Sequence, residues 1–325
     1  CSASRRFAGC PDEQRLQSMS DVTFAFAFAA GEAERETVLL VESLRTFGGR
    51  LAGSKVWTML PAPVVVSDET LAALDNLNAD VHRFEVDADA LNFPFAAKVY
   101  AAGEAERLAV QNDSLLVWTD RGALVVQEPD ALLLPPGKAL GYRPVDHTLI
   151  GSPFDAPLDP FWSLIYEYCN VPAARVFPMT ASVDRRVLRP YFNAGMLVVD
   201  PRRGLLQRWH DDFDRLYRLP EFRPFYEQDV RYAIFMHQAV LAGTVLSMLR
   251  PGELVELLHL VNYPLHMHGD YPADLKPARL NDVVSARYEE LLRDGAWQQV
   301  IRVDEPFRGW LEERLAQWPP AAPAA

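Results

Sequence analysis

Cysteine is scarce in this chain. Of 325 residues only Cys1, Cys10 and Cys169 are cysteines, with no CxxC pair and no even framework. That argues against a disulfide scaffold or a zinc knuckle and leaves a reducing, cytoplasmic setting as the expectation. Positive charge is also short, with 32 Lys and Arg against 44 Asp and Glu and a formal net charge of -12. A surface that wraps nucleic acid or clings to anionic lipid needs the opposite balance, so neither is an expected partner. No apolar run approaches the roughly 20 residues of a membrane span, and the longest, Val22 to Ala30, suits a buried strand. Three nucleotide or nucleophile signatures are missing as well. There is no GxGxxG after the first strand, no GxxxxGK[ST] and no GxSxG, so a dinucleotide oxidoreductase, a P-loop NTPase and a serine hydrolase all lose ground.

What is present is a periodic α/β pattern. "DVTFAFAF" (21–28), "KVWTMLP" (55–61), "ADVHRFEV" (79–86) and "SLLVWTD" (114–120) read as strands. Between them, 31–49 carries Leu40, Val41, Leu44 and Phe47 at helical spacing, 67–77 opens with Ser67 as an N-cap, and 93–109 is a third helix. Strands alternating with helices predict parallel βαβ units, whose ligands lie beyond the carboxyl ends of the strands. After Pro129 the pattern loosens. Helices are expected over 157–171, 204–219 and 227–243, and a strand over 194–201. The expected organisation is an extension at 1–18, one α/β unit over 19–318 with halves at 19–130 and 131–318, and a frayed tail at 319–325.

"LLVWTDRGALVV" suggests chemistry. An apolar run ends at Asp120 and a second begins at Ala123. In an extended strand side chains at i and i+2 point the same way, so an Asp-x-Asp pair can aim two carboxylates at a hard cation such as Mn²⁺ or Mg²⁺ bridging a nucleotide diphosphate. Here the second position is Gly122, and Asp-Arg-Gly is also ordinary turn chemistry. In "YFNAGMLVVDP", Asn193 can hydrogen-bond a sugar hydroxyl and Gly195 permits close backbone approach, although loop-to-strand junctions favour the same residues. In "YEQDVRYAIF", Gln228 and Asp229 can orient an acceptor, or simply begin a helix. His266 and His268 in "LHMHGDYP" are two apart, so one can add a metal ligand to Asp120, and Lys98 can offer a point charge to a diphosphate, although surface histidines and a solvated lysine are the commoner case for such residues.

In this order the segments resemble the A-type glycosyltransferase fold, particularly the retaining transferases of the glycogenin and lipopolysaccharide galactosyltransferase type. That group has a Lys-bearing helix before an Asp-x-Asp strand, then "FNxGxxxxD", then "DQDxLN", then a late His near a Gly. The matching places are Lys98 in "FAAKVYAA", Asp120, Asn193 and Gly195, Gln228 and Asp229, and His266 or His268, spread over roughly residues 20 to 272. The chain departs from the pattern at Gly122, at Glu227, at Arg231-Tyr232, and in lacking a Lys-Pro-Trp ending. The resemblance implies a mostly parallel sheet flanked by helices and transfer of a sugar from a nucleotide-diphosphate donor to an unidentified acceptor. It assigns Asn193, Gln228 and Asp229 to catalysis, Lys98, Asp120 and Gly195 to the donor, and Asp120, His266 and His268 to Mn²⁺ or Mg²⁺. Two alternatives stay open, namely a catalytically degenerate protein that binds sugar, nucleotide or a partner, and a metal-independent transferase using Lys98 or Arg121.

Overall fold

The computed structural model describes residues 22–112, 114–292 and 295–317. The expected extension 1–18, the tail 319–325, Cys1 and Cys10 lie outside them. Twelve strands occur among the described residues. They are β1 (Val22–Ala27), β2 (Lys55–Pro61), β3 (Ala79–Phe84), β4 (Leu115–Thr119), β5 (Ala123–Val125), β6 (Leu140–Pro144), β7 (Met179–Thr180), β8 (Val187–Leu188), β9 (Phe192–Val199), β10 (Leu254–Glu256), β11 (Tyr263–Pro264) and β12 (Ser285–Arg287). Seven form the central sheet in the order β10-β6-β9-β4-β1-β2-β3. It is mostly parallel, with β9 antiparallel to both β4 and β6. Strands from both the 19–130 and 131–318 segments enter this one sheet.

The main helices are α1 (Glu32–Phe47), α2 (Asp68–Asn76), α3 (Ala96–Ala109), α4 (Pro160–Tyr168), α5 (Leu205–Leu216), α6 (Arg223–Gln228), α7 (Val230–Met248) and α8 (Phe307–Leu315). Strand alternation decides which helix each side chain meets. Ala25, Leu116 and Trp118 face a core shared with Val99 of α3, Trp209 of α5 and Val240 of α7. Phe24, Phe26 and Val117 face the opposite way, toward Leu40, Val41 and Leu44 of α1. Each such large apolar side chain contributes about 1.5–3 kcal/mol when taken fully out of water. A third core lies under β5, β12 and α8, around Leu124, Tyr263, Phe307 and Leu311. No described helix is long and apolar enough to cross a membrane.

Two helix boundaries differ from expectation for local reasons. The 93–109 helix begins only at Ala96, because Phe95 takes a left-handed conformation with φ 59°. The 227–243 helix is divided. Asp229 is extended (φ -154°) and its carboxylate accepts the Arg231 N–H, so it closes α6 and caps α7. From there α7 runs on through apolar residues to Met248. The apolar run after Asp120 also leaves the central sheet, since β5 pairs antiparallel with β12 instead.

Helices α3 and α5 approach closely at Gly103, where an added Cβ would lie 2.8 Å from the His210 Cβ. Such a contact forces one helix to shift. Gly103→Ala is therefore expected to destabilise the protein by about 1–3 kcal/mol and to lower its Tm by several degrees; an unchanged melting curve would show that the two helices separate without cost.

Candidate functional site

Because β9 runs antiparallel, its first residues share an edge of the sheet with the carboxyl ends of β1 and β4. A cavity of about 350 Å³ opens at this edge. Its walls include Ala27 after β1, Glu36 on α1, Phe95 and Lys98 at the start of α3, and Asp120, Arg121 and Gly122 after β4. Asn193 and Gly195 of β9, Phe235, His237 and Gln238 of α7, and Arg287 at the end of β12 with Glu289 and Glu290 complete it.

The centre of the site is an ion pair. Lys98 Nζ lies 2.6 Å from Asp120 Oδ1, with the lysine side chain 10% and the aspartate 33% exposed. Burial by itself pushes the Asp120 carboxyl up; the Lys98 ammonium and, behind it, Arg287 outweigh burial and hold it below the ordinary carboxylate value. The Asp120 N–H donates to the Gly195 carbonyl at 3.0 Å. A Cβ at position 195 would sit 2.7 Å from Asp120 Oδ2 and 2.9 Å from Asn193 Oδ1, so only glycine lets β9 come this close. Asn193 is held from both ends, its Oδ1 accepting the Gly195 N–H at 2.8 Å and its Nδ2 reaching Asp146 Oδ2 at 3.5 Å. Asp146 in turn binds Arg287 at 2.7 Å. Behind Gly195 the Asn262 amide is buried, and neither of its polar atoms finds a hydrogen bond among the described residues.

The α7 wall is neutral. His237 Nδ1 lies 2.9 Å from the Ile234 carbonyl, an oxygen that only accepts, so the proton sits on Nδ1 and the Nε2 lone pair is left available. Burial, reinforced by the Lys98 ammonium, pushes the imidazole down to about 3. Its ring stacks on Phe95 with centroids 4.6 Å apart. Next to it, Gln238 Oε1 accepts the Ala194 N–H at 3.2 Å, tying α7 to β9.

Among the residues expected from the sequence, Lys98, Asp120, Asn193 and Gly195 come together here. Gln228 and Asp229 are not among the lining residues; Asp229 caps α7 and pairs with Arg231 at 2.6 Å. His268 Nδ1 is hydrogen-bonded to the Tyr263 hydroxyl at 2.9 Å, and His266, whose imidazole is pushed down to about 4 by burial and by nearby Arg287, has no partner for Nδ1 among the described residues. Neither histidine lines the cavity. Sequence reading missed His237, Gln238, Glu36 and Arg287. The first two had a signal, a polar His-Gln pair interrupting the apolar run "AIFMHQAVLAG".

The donor set does not fit a divalent-ion centre of the Asp-x-Asp kind. Asp120 is engaged by Lys98, Gly122 faces open space where a second carboxylate would stand, and no group of three or more His, Cys, Asp or Glu side chains gathers at ligand spacing among the described residues. Four carboxylates (Glu36, Asp120, Glu289, Glu290) face three cations (Lys98, Arg121, Arg287) around the cavity. Arg121 pairs with Glu36 at 3.0 Å. An anionic ligand therefore gains from specific cations rather than from a net positive field.

The His237 shift has a definite sign. The folded imidazole stays neutral while the unfolded one takes a proton below its ordinary 6.5, so its contribution is intact above 6.5 and stability is lost as pH falls from there toward 3. The ring resonances of His237 are expected to stay constant between pH 5 and 8 in NMR titration; a midpoint near 6.5 would show that the ring is not sealed.

A family model described as the Rhodobacterales glycosyltransferase domain matches residues 24–240, about two thirds of the chain. No curated protein matches it. Among solved structures, the bifunctional glycosyltransferase WbbM in its apo form is 12% identical with a TM-score of 0.48, the match covering 91% of this chain and 51% of that one. This chain thus spans about half the length of WbbM. The galactosyltransferase LgtC, in complex with donor and acceptor sugar analogues, is 15% identical with a TM-score of 0.47, over 89% of this chain and 99% of that one. By the family match, the chain belongs to the Rhodobacterales glycosyltransferase domain family and is a glycosyltransferase-like α/β protein with a mostly parallel central sheet.

Proposed function

We propose that the chain transfers a sugar from a nucleoside-diphosphate donor to an acceptor hydroxyl, and that the cavity around Asp120 and Lys98 is the donor site. The observation that carries this reading is the convergence of Lys98, Asp120, Asn193 and Gly195, from a helix and two strands, at the ligand-binding edge of the sheet. In the reaction the bond from the anomeric carbon to the diphosphate oxygen breaks and its electron pair stays on the phosphate. The acceptor oxygen forms the new bond to carbon and releases its proton to the phosphate or to solvent. The charge that grows on the leaving oxygen is met by the Lys98 ammonium, with Arg287 deeper in the wall. Asn193 and Gln238 fix β9 against α7 and so hold the floor of the site in shape. Gln238 and His237 line the cavity from α7, the helix that Asp229 caps.

Gly122 and the engaged Asp120 also favour a second reading, a site that holds donor without turnover.

Both readings meet one experiment, a thermal-shift screen against nucleoside diphosphates and their sugars, each with Mn²⁺ and with chelator, followed by turnover of any ligand found. A ligand at about a hundred times its Kd adds roughly 2.7 kcal/mol, a shift of several degrees for a chain of this size. Lys98→Met is expected to weaken the bound donor by about 10- to 100-fold, the worth of a hydrogen bond to a charged group. Shift with turnover is the transferase outcome, shift without turnover the binding outcome, and no shift with any donor would sink both. Loss of the shift in chelator, with recovery in Mn²⁺, would return the cation to the site.

A further inference from the structure

Phe95 defies three local preferences at once. Its backbone is left-handed, with φ 59° and ψ 7°, a conformation that favours glycine or asparagine. It holds the N-cap position of α3, where a polar side chain would accept a backbone N–H, and it makes no such bond. As a residue it is 49% exposed. Glu289, another of the seven described non-glycine residues with positive φ, lines the same cavity. Strained backbone gathers where the surrounding structure holds a side chain in place for use.

We propose that Phe95, backed by His237, is the stacking wall for the transferred sugar. This rests on the donor-site reading above. A pyranose has an apolar face of C–H bonds that packs on an aromatic ring, as other apolar surfaces do. Position selects the transferred sugar as the occupant. Its anomeric carbon is joined directly to the diphosphate, Lys98 is the cation offered to that diphosphate, and Lys98 Nζ lies 5.8 Å from the Phe95 ring centroid. A sugar attached to a phosphate at Lys98 is therefore within reach of the ring. His237 fixes the ring from behind, stacked at 4.6 Å with an interplanar angle of 27°. Its Nδ1 is tied to the Ile234 carbonyl, so the support cannot rotate away without breaking that bond. Phe95 acts as a positioning and specificity residue. The flat wall accepts pyranoses with an unbroken C–H face and disfavours epimers that place an axial hydroxyl against the ring.

The test compares affinities for a nucleoside diphosphate and for its sugar conjugates, by calorimetry, in wild type, Phe95→Gly, Phe95→Asn and Phe95→Tyr. The probes are uridine, guanosine, cytidine and adenosine diphosphates and their glucose, galactose and mannose conjugates. Both Gly and Asn suit the left-handed backbone, so neither depends on tolerating strain. The ratio of conjugate affinity to diphosphate affinity is expected to fall about tenfold in the Gly and Asn variants, the worth of one aromatic contact, and to be kept in Phe95→Tyr. A ring that only shields His237 would leave that ratio unmoved. An unchanged ratio in both ringless variants overturns the proposal while leaving the donor site standing. Failure of the wild type to bind any diphosphate or conjugate overturns the donor-site reading and this proposal with it.

Discussion

The contact between Lys98 and Asp120 is the constraint on which the site depends. It joins the first turn of α3 to the end of β4 at 2.6 Å, where the chain is about to leave the central sheet for a smaller one. The aspartate is two-thirds buried, and a carboxylate there is costly without a partner. The lysine supplies that partner and is itself kept inside the protein by it. Gly195 completes the junction, since a side chain at this position of β9 would collide with the same carboxylate. Helix, strand and neighbouring strand are thus set against one another by one charge pair and one missing Cβ.

The antiparallel course of β9 has a chemical consequence. In a wholly parallel sheet the first residues of a strand lie at the edge opposite the ligand. Reversal of β9 brings Asn193 and Gly195 to the edge where β1 and β4 end. It also presents the Ala194 N–H to Gln238, which links the strand to α7. The buried pair of Asp146 and Arg287 closes the far side. Each cation around the cavity lies beside a carboxylate, which makes the site a set of exchangeable ion pairs rather than a positive basin.

Several departures from structural economy lie at this edge. Phe95 and Glu289 have positive φ without being glycine. The buried Asn262 side-chain amide finds no hydrogen bond among the described residues, and Gly122 stands where a second acid would have room. Many local rules hold through the scaffold. Ser67 and Asp159 cap their helices through their side-chain oxygens, and the strand faces alternate between two apolar cores.

The sequence by itself determined the elements and their order. Short apolar runs bounded by turn residues marked β1 to β4 and β9, and helical spacing with Ser67 and Gly48-Gly49 marked α1 and α2, because burial imposes those patterns locally. It also brought Lys98, Asp120, Asn193 and Gly195 into view, since unusual residues at strand ends stand out against an apolar background. Only the tertiary structure decided the direction of β9, the departure of β5 to a second sheet, and the pairing of Arg287 with Asp146 across 141 positions. It also turned His237 and Gln238 toward the cavity and left His266 and His268 outside its lining. Periodicity records that a residue is buried, not which residue it meets, and contacts between distant segments are set by how the sheet and helices pack as a whole.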